Sequence, residues 1–178
     1  MLSELGTIFI VGSLLTSLVI IFFSFKELKI SNNIIPSKIY KFSLFQLFFC
    51  IGSFFVLLLA YVISDFSLIN VYENSHTTKP LFYKISGTWG NHEGSLLLWI
   101  NILVLFSSLF LFINKNSDKN FKILTLLFQN ILIFIFIIFL LSNSNPFSKL
   151  FPVPLEGLGL NPILQDPALA IHPPLLYV

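Results

Sequence analysis

Charge is scarce in this chain of 178 residues: only 10% are Asp, Glu, Lys or Arg, against about 25% in an ordinary globular domain. Arginine is missing altogether, and the ten basic residues are all Lys. The single cysteine, Cys50, lies inside an apolar run. That excludes an internal disulfide, a CxxC redox pair and a thiolate zinc site, so any thiol chemistry served here comes from a partner. No phosphate-binding glycine loop, zincin motif or nucleophile elbow occurs. What abounds is apolar: 56% of the residues, with 22 Phe among them. One modest core cannot hide so much apolar surface. A soluble enzyme, a disordered chain and a nucleic-acid-binding domain are therefore excluded, and an integral membrane protein remains. Phe, Ile, Asn and Lys all have AT-rich codons, and their abundance points to an AT-rich, organellar type of genome.

Four apolar stretches, Leu5–Phe25, Phe42–Ser64, Gly94–Ile113 and Ile123–Leu141, contain no Asp, Glu, Lys or His. At about 1.5 Å per helical residue, runs of roughly 20 residues match a bilayer core of about 30 Å. In lipid the backbone must satisfy itself, which leaves helices or a closed barrel. The runs show no apolar/polar alternation, so helices are expected. The first run is preceded by no Lys and exceeds an ordinary signal-peptide core, so it reads as a retained span. Seven of the ten Lys fall in two alternate loops, Lys26–Lys41 and Asn114–Lys122. The positive-inside rule places those loops in the cytoplasm or its organellar equivalent. The N-terminus, the Asp65–Glu93 loop and the tail from Ser142 then face outward. The spans lack the buried ionisable groups that pumps and ion-coupled carriers use, which counts against a self-sufficient transporter.

The tail is rich in Pro, Gly and Asn through Ile171, so no membrane helix is expected there. It closes on His172-Pro173-Pro174-Leu175-Leu176-Tyr177-Val178. A Pro pair before an apolar run predicts the first turn of a fifth helix, in a chain expected to be the N-terminal part of something larger, as a fragment or one half of a split gene. Pro173 disfavours helical backbone at His172, so His172 is expected to be extended, just outside the next span. That perch suits a ligand to iron, and equally a loose helix cap. His76, His92 and His172 all fall on the expected outer side. They read either as interfacial polar residues or as iron ligands. The stretch Trp89–Trp99 (WGNHEGSLLLW) is denser in signal. Asn91 can cap a helix with Glu93 in its first turn, and His92, Leu96 and Trp99 then share one face. Trp89 and Trp99 bracket the interface, as an aromatic belt or as a platform for a flat apolar ligand.

WGNHEGSLLLW (Trp89–Trp99), the NPF of Asn145–Phe147 and LNPILQDPALAIHPPLLY (Leu160–Tyr177) together resemble the N-terminal part of the CcmF family. Its members are haem-lyase subunits of the cytochrome c maturation system. KPLFYKISGT (Lys79–Thr88) looks especially like the alphaproteobacterial and mitochondrial members. The resemblance implies an all-α polytopic membrane protein that takes haem from a haem chaperone, CcmE. With CcmH it joins the haem vinyl groups to the Cys pair of apocytochrome c. It also implies that His172, in HPPLLY, is one of two outer His flanking a Trp-rich haem-contacting loop. The second His, that loop and the His of a structural b-type haem belong to later segments. One axial ligand at most is therefore expected here, the remainder coming from further CcmF segments or a split-gene partner.

The expectation is four transmembrane helices, an outward Pro-rich tail (142–178) and the start of a fifth helix, in the mitochondrial inner membrane or else a bacterial inner membrane. His172 is the candidate haem ligand. Trp89, His92, Glu93 and Trp99 are candidates for a haem or partner surface, with direct ligation by His92 the weaker alternative. A non-catalytic scaffold of the same assembly is the first rival reading. A transporter or respiratory-complex subunit is the second.

Overall fold

The computed structural model describes residues 1–30, 34–113 and 118–177. Seven α-helices form: α1 (Leu2–Glu27), α2 (Ser37–Ile63), α3 (Ile69–Asn74), α4 (Leu81–Gly87), α5 (His92–Ile113), α6 (Lys119–Asn143) and α7 (Pro167–Leu176), with a 3-10 turn at Pro162–Gln165. Four of them, α1, α2, α5 and α6, are long and apolar enough to cross a membrane. With no named strand among the described residues, the chain is an all-α, multi-pass membrane protein, as the runs in the sequence predict.

The long helices close into a ring. α1 packs on α2 and α6, and α5 packs on the same two. Their polarity is inside-out relative to a soluble bundle. Phe22, Phe48, Phe55 and Phe128 are exposed, whereas Ser13, Ser17, Gln46, Ser53, Asn101, Ser107, Ser108 and Asn130 are buried beside Ile10, Leu57, Leu97, Val104, Ile133 and Leu140. Lipid tails solvate Phe and Leu as well as a core does. Helix contact in a membrane therefore favours small side chains and interhelical hydrogen bonds. The 3.0 Å contact between the Ser43 and Ser108 hydroxyls is one such bond. Asn101 and Asn130 instead donate back to the carbonyls of Leu97 and Leu126, one turn earlier on their own helices.

At one end of the bundle, the lysine end, the helices outrun the uncharged runs and carry ionisable groups inward. Lys119, the first residue of α6, lies 3.2 Å from the carboxylate of Glu27 at the end of α1, and both are buried. Asp118 caps α6, accepting from the amides of Asn120 and Phe121. Residues 31–33 and 114–117 of the two Lys-rich loops lie outside the described residues. The opposite end, the loop end, gathers everything else. There the Asp65–Glu93 connection folds into α3 and α4, two short helices that its mixed composition did not announce.

The tail wraps across this loop end. Leu150 N–H donates to Ser67 O at 2.8 Å, Leu158 N–H to Tyr72 O at 2.8 Å and Gly159 N–H to Ser75 O at 3.0 Å. Gly157 is the tight point: a Cβ there would sit 2.2 Å from the Ser75 carbonyl oxygen. Ser3 Oγ donates to Phe147 O, tying the start of α1 to the tail.

The expected boundaries of the fifth helix require correction. α7 begins at Pro167, not at Pro173, so His172 lies inside a helix and is not extended. Asp166 decides this. Its carboxylate accepts from the amides of Ala168 and Leu169, and Pro167 occupies the first helical position, where its missing N–H costs nothing. The pair Pro173-Pro174 then sits within the helix and removes two donors from it.

Candidate functional site

One of those removals organises the loop end. Without an N–H at Pro174, the carbonyl of Ala170, four residues earlier, has no partner in its own helix. Ala170 is buried, so an orphaned carbonyl would carry the desolvation cost of an unmade hydrogen bond. Trp89 supplies the donor: its indole Nε1–H reaches Ala170 O at 2.8 Å. Trp99 holds the far end of α7. Its ring lies 4.6 Å from that of Phe136 on α6 and stacks on Tyr177, centroids 6.2 Å apart and planes at 22°. α7 is therefore pinned near its beginning by Trp89 and at its C-cap, Tyr177, by Trp99. Both indoles engage the chain itself.

His172 falls between the two pins. At about 1.5 Å per residue it lies about 3 Å beyond Ala170 and about 7.5 Å before Tyr177. Leu169, Ala170 and Pro173 face α4 and the 3-10 turn, lining a small void with Trp89 and Leu160. His172 sits on the flank of that face, exposed, and its imidazole has no hydrogen-bond or ion-pair partner among the described residues.

The remaining predicted residues belong to the start of α5. Asn91 caps the helix, Oδ1 accepting from Gly94 N–H at 2.7 Å. Its amide also donates to Gly87 O and to the Tyr61 hydroxyl. The Tyr61 hydroxyl donates in turn to Asn70 Oδ1 at 2.6 Å, and Asn70 Nδ2 donates to Asn91 Oδ1 and to Glu93 Oε2, at 2.8 and 3.1 Å. Glu93 thus completes a closed polar network joining α2, α3 and α5. Gly94 is required by it: a Cβ would lie 1.7 Å from the Thr88 carbonyl oxygen. The His92 imidazole points away from this network, exposed and unpartnered among the described residues. The structure therefore brings Trp89, Trp99 and His172 together through α7. It assigns Glu93 to a different cluster and joins His92 to neither. Tyr61 and Asn70 were not singled out by sequence. The cue available was a lone Tyr closing an apolar run, a position where a buried hydroxyl needs a partner.

Two further features complete the loop end. His76 Nδ1 accepts from the Thr78 amide at 3.3 Å and lies 3.7 Å from Glu156. Hydrogen bonds from the Thr77 hydroxyl and amide, with the Gly157 amide and the nearby His76, hold the Glu156 carboxyl at about 2. Lys79 Nζ donates to Leu160 O at 3.3 Å, and partial burial lowers its pKa.

These features define a polytopic helical membrane protein whose loop end presents two open imidazoles, His92 at the start of α5 and His172 on a short helix pinned by two tryptophans. The profile described as Cytochrome C assembly protein matches residues 89–178, the segment that carries both tryptophans and His172. The chain belongs to this family, in its CcmF group. It is 56% identical over 126 residues to cytochrome c-type biogenesis protein CycK of Rhizobium meliloti (strain 1021), covering 71% of this chain and 19% of that protein. It is 41% identical over 128 residues to cytochrome c-type biogenesis protein CcmF of Escherichia coli (strain K12), covering 71% and 20%. Among solved structures, cytochrome c heme lyase CcmF superposes with a TM-score of 0.83 at 22% identity, over 99% of this chain and 28% of that one. The likeness at that identity is one of fold. The chain spans about a fifth of the length of the curated relatives it matches.

Haem is the group this kinship implies. His172, accessible and free of any competing partner among the described residues, is a residue that could hold its iron from one side. The described residues hold no cluster of three or more His, Cys, Asp or Glu that could bind a metal ion, and the void beside α7 is far too small for a porphyrin. The fit is that of one open ligand at a surface, not of an enclosed haem pocket.

Proposed function

We propose that this chain takes part in attaching haem to c-type cytochromes, as the N-terminal portion of a CcmF-type haem lyase, with His172 as one axial ligand to haem held at the loop end. The observation that carries the reading is the exposed, unpartnered His172 on a helix fastened by Trp89, within the segment that matches the family. When bound, haem would supply the vinyl groups to be joined to cysteine thiols. This chain's own residues hold its iron from one side and keep α7 in register. A second ligand and the walls of the haem site come from further segments or a partner.

Haem delivered by a chaperone of CcmE type, and thiols presented by apocytochrome c with a CcmH-type subunit, are the partners this reading needs. The lysine distribution supports an outward-facing loop end. The AT-rich composition supports a mitochondrial inner membrane, a bacterial inner membrane being the alternative. In the assembled complex, His172→Ala should abolish haem capture, read as loss of the haem absorption spectrum and of holocytochrome yield. Unchanged spectra and yield in that variant would remove the proposal.

The Tyr61–Asn70–Asn91–Glu93 network favours a second contribution, that of scaffold. Its hydrogen bonds are satisfied within the chain, which suits a rigid docking platform. A chain that purifies without haem yet retains a CcmH-type partner would assign it that role alone.

A further inference from the structure

At the loop end, away from α7's exposed flank, an open cleft of about 570 Å³ lies between the 76–80 turn and the 158–165 segment. Its polar side chains are His76, Thr78, Lys79, Asn161 and Gln165, and Leu158 and Leu160 supply apolar wall. The charges around it are unequal in what they have left to offer. The Glu156 carboxylate is consumed by the Thr77 amide, the Thr77 hydroxyl and the Gly157 amide. Lys79 is half-buried, spends one N–H on Leu160 O, and has no carboxylate within ion-pair distance among the described residues. Asn161 Oδ1 accepts from the Ile163 amide at 3.0 Å, which leaves its NH₂ unpartnered among the described residues. His76 Nδ1 is taken up by the Thr78 amide and hydroxyl, which leaves Nε2–H as the donor the ring can offer. The cleft therefore offers one cation, with side-chain donors on His76, Asn161 and Gln165, beside an apolar wall.

We propose that this cleft receives the carboxylate of an amphiphilic ligand. Lys79 supplies the charge, Asn161 and His76 supply flanking hydrogen bonds, and Leu158 and Leu160 lie against the apolar body. A single ammonium matches a carboxylate monoanion. A phosphate dianion would call for a second cation or a bidentate guanidinium, and the chain contains no Arg. The site involves neither His172 nor iron, so it goes beyond the function proposed above and stands or falls separately. A porphyrin propionate and a fatty acid share this chemistry.

The test uses the full chain in lipid nanodiscs with iron-free protoporphyrin IX, whose fluorescence reports binding without any iron ligation. The free acid should bind about tenfold more tightly than its dimethyl ester, as a charge-assisted hydrogen bond implies. Lys79→Gln should weaken the acid about tenfold and leave the ester unchanged. Lys79→Arg should restore the acid to within about threefold. His172→Ala should leave every one of these affinities as it was. Palmitate that binds with the same Lys79 dependence, while protoporphyrin does not bind, supports the site and assigns it to a lipid acid. Equal affinity for acid and ester, a Lys79→Gln variant that binds like the parent, or no binding of either acid would overturn the proposal. Circular dichroism of Lys79→Gln matching the parent shows that its loss is not one of folding.

Discussion

Replacing Trp89 by Phe deletes one N–H and keeps an aromatic ring in the same place. In the structure that N–H is the partner of the Ala170 carbonyl, which Pro174 has deprived of its own helical donor. Ala170 is buried, so the carbonyl cannot simply turn to water. An orphaned buried acceptor costs about 1–3 kcal/mol. Because the bond joins α7 to the turn between α4 and α5, that cost falls on α7 docking and leaves the four long helices intact. Local opening of α7 should become about 5- to 150-fold more frequent, and its amides should exchange faster by that factor while those of α5 and α6 do not. Hydrogen exchange read by mass spectrometry on the protein in nanodiscs measures both at once. Pro174→Ala supplies the decisive control. It returns an N–H at position 174, which can donate to Ala170 O inside the helix. In that background Trp89→Phe should cost little, giving a coupling of about 1 kcal/mol or more in the double-mutant cycle. Equal effects of Trp89→Phe with and without Pro174, or no change in α7 exchange, would refute the account of why the tryptophan is there.

Two other perturbations follow from the same end of the molecule. Gly94→Ala drives a Cβ to 1.7 Å from the Thr88 carbonyl oxygen; forced overpacking of about 2–3 kcal/mol should lower the apparent melting temperature by roughly 4–12 °C, and an unchanged melting temperature would contradict it. The Glu156 carboxyl, held at about 2 from an ordinary 4.5, is a depressed acid. Its contribution to clamping the 76–78 turn is fully present above about pH 4.5 and is lost as pH falls through about 2. The Thr77 amide resonance should therefore titrate in that acid window and not near pH 4.5, and Glu156→Gln should abolish the titration.

Much of the fold was legible because a bilayer imposes one dominant rule. Runs free of charge at the length of a span had to be helices, and all four are. The helices extend past the charge-free runs by up to five residues, because a charged group does not stop a helix. Lys119 and Glu27 lie in these extensions and bury their charge as a pair where two helices meet. The loop end was harder to read. The local signals were sound at Asn91, whose capping role holds, since a cap depends on residues three positions apart. They failed at His172, where a local preference met a stronger local cap. Pro173 disfavours helix at His172, but Asp166 and Pro167 start the helix five residues upstream, and propagation overrides the preference. Neither the partner of Trp89, 81 positions away in sequence, nor that of Lys79, equally distant, carries a periodic or spacing signal. Such pairs are set by how the tail wraps across the loop end.

The placement of His172 inside α7 changes how it can present its imidazole. An extended residue before a Pro pair has a fixed backbone but no neighbours to aim it. A helical residue inherits the direction of its helix face, and that face is set at two points, by Trp89 at Ala170 and by Trp99 at Tyr177. Turning His172 toward or away from a ligand therefore means rotating α7 against both. The two prolines serve this arrangement in different ways. Pro174 frees the carbonyl that Trp89 grips, and Pro173, on the face toward α4, lines the small void beside the Trp89 ring. Substituting both by Ala would make a better isolated helix and a worse docked one. The sequence motif is thus a fastening that holds His172 on a helix fixed at two points, one of them by a tryptophan 81 positions away.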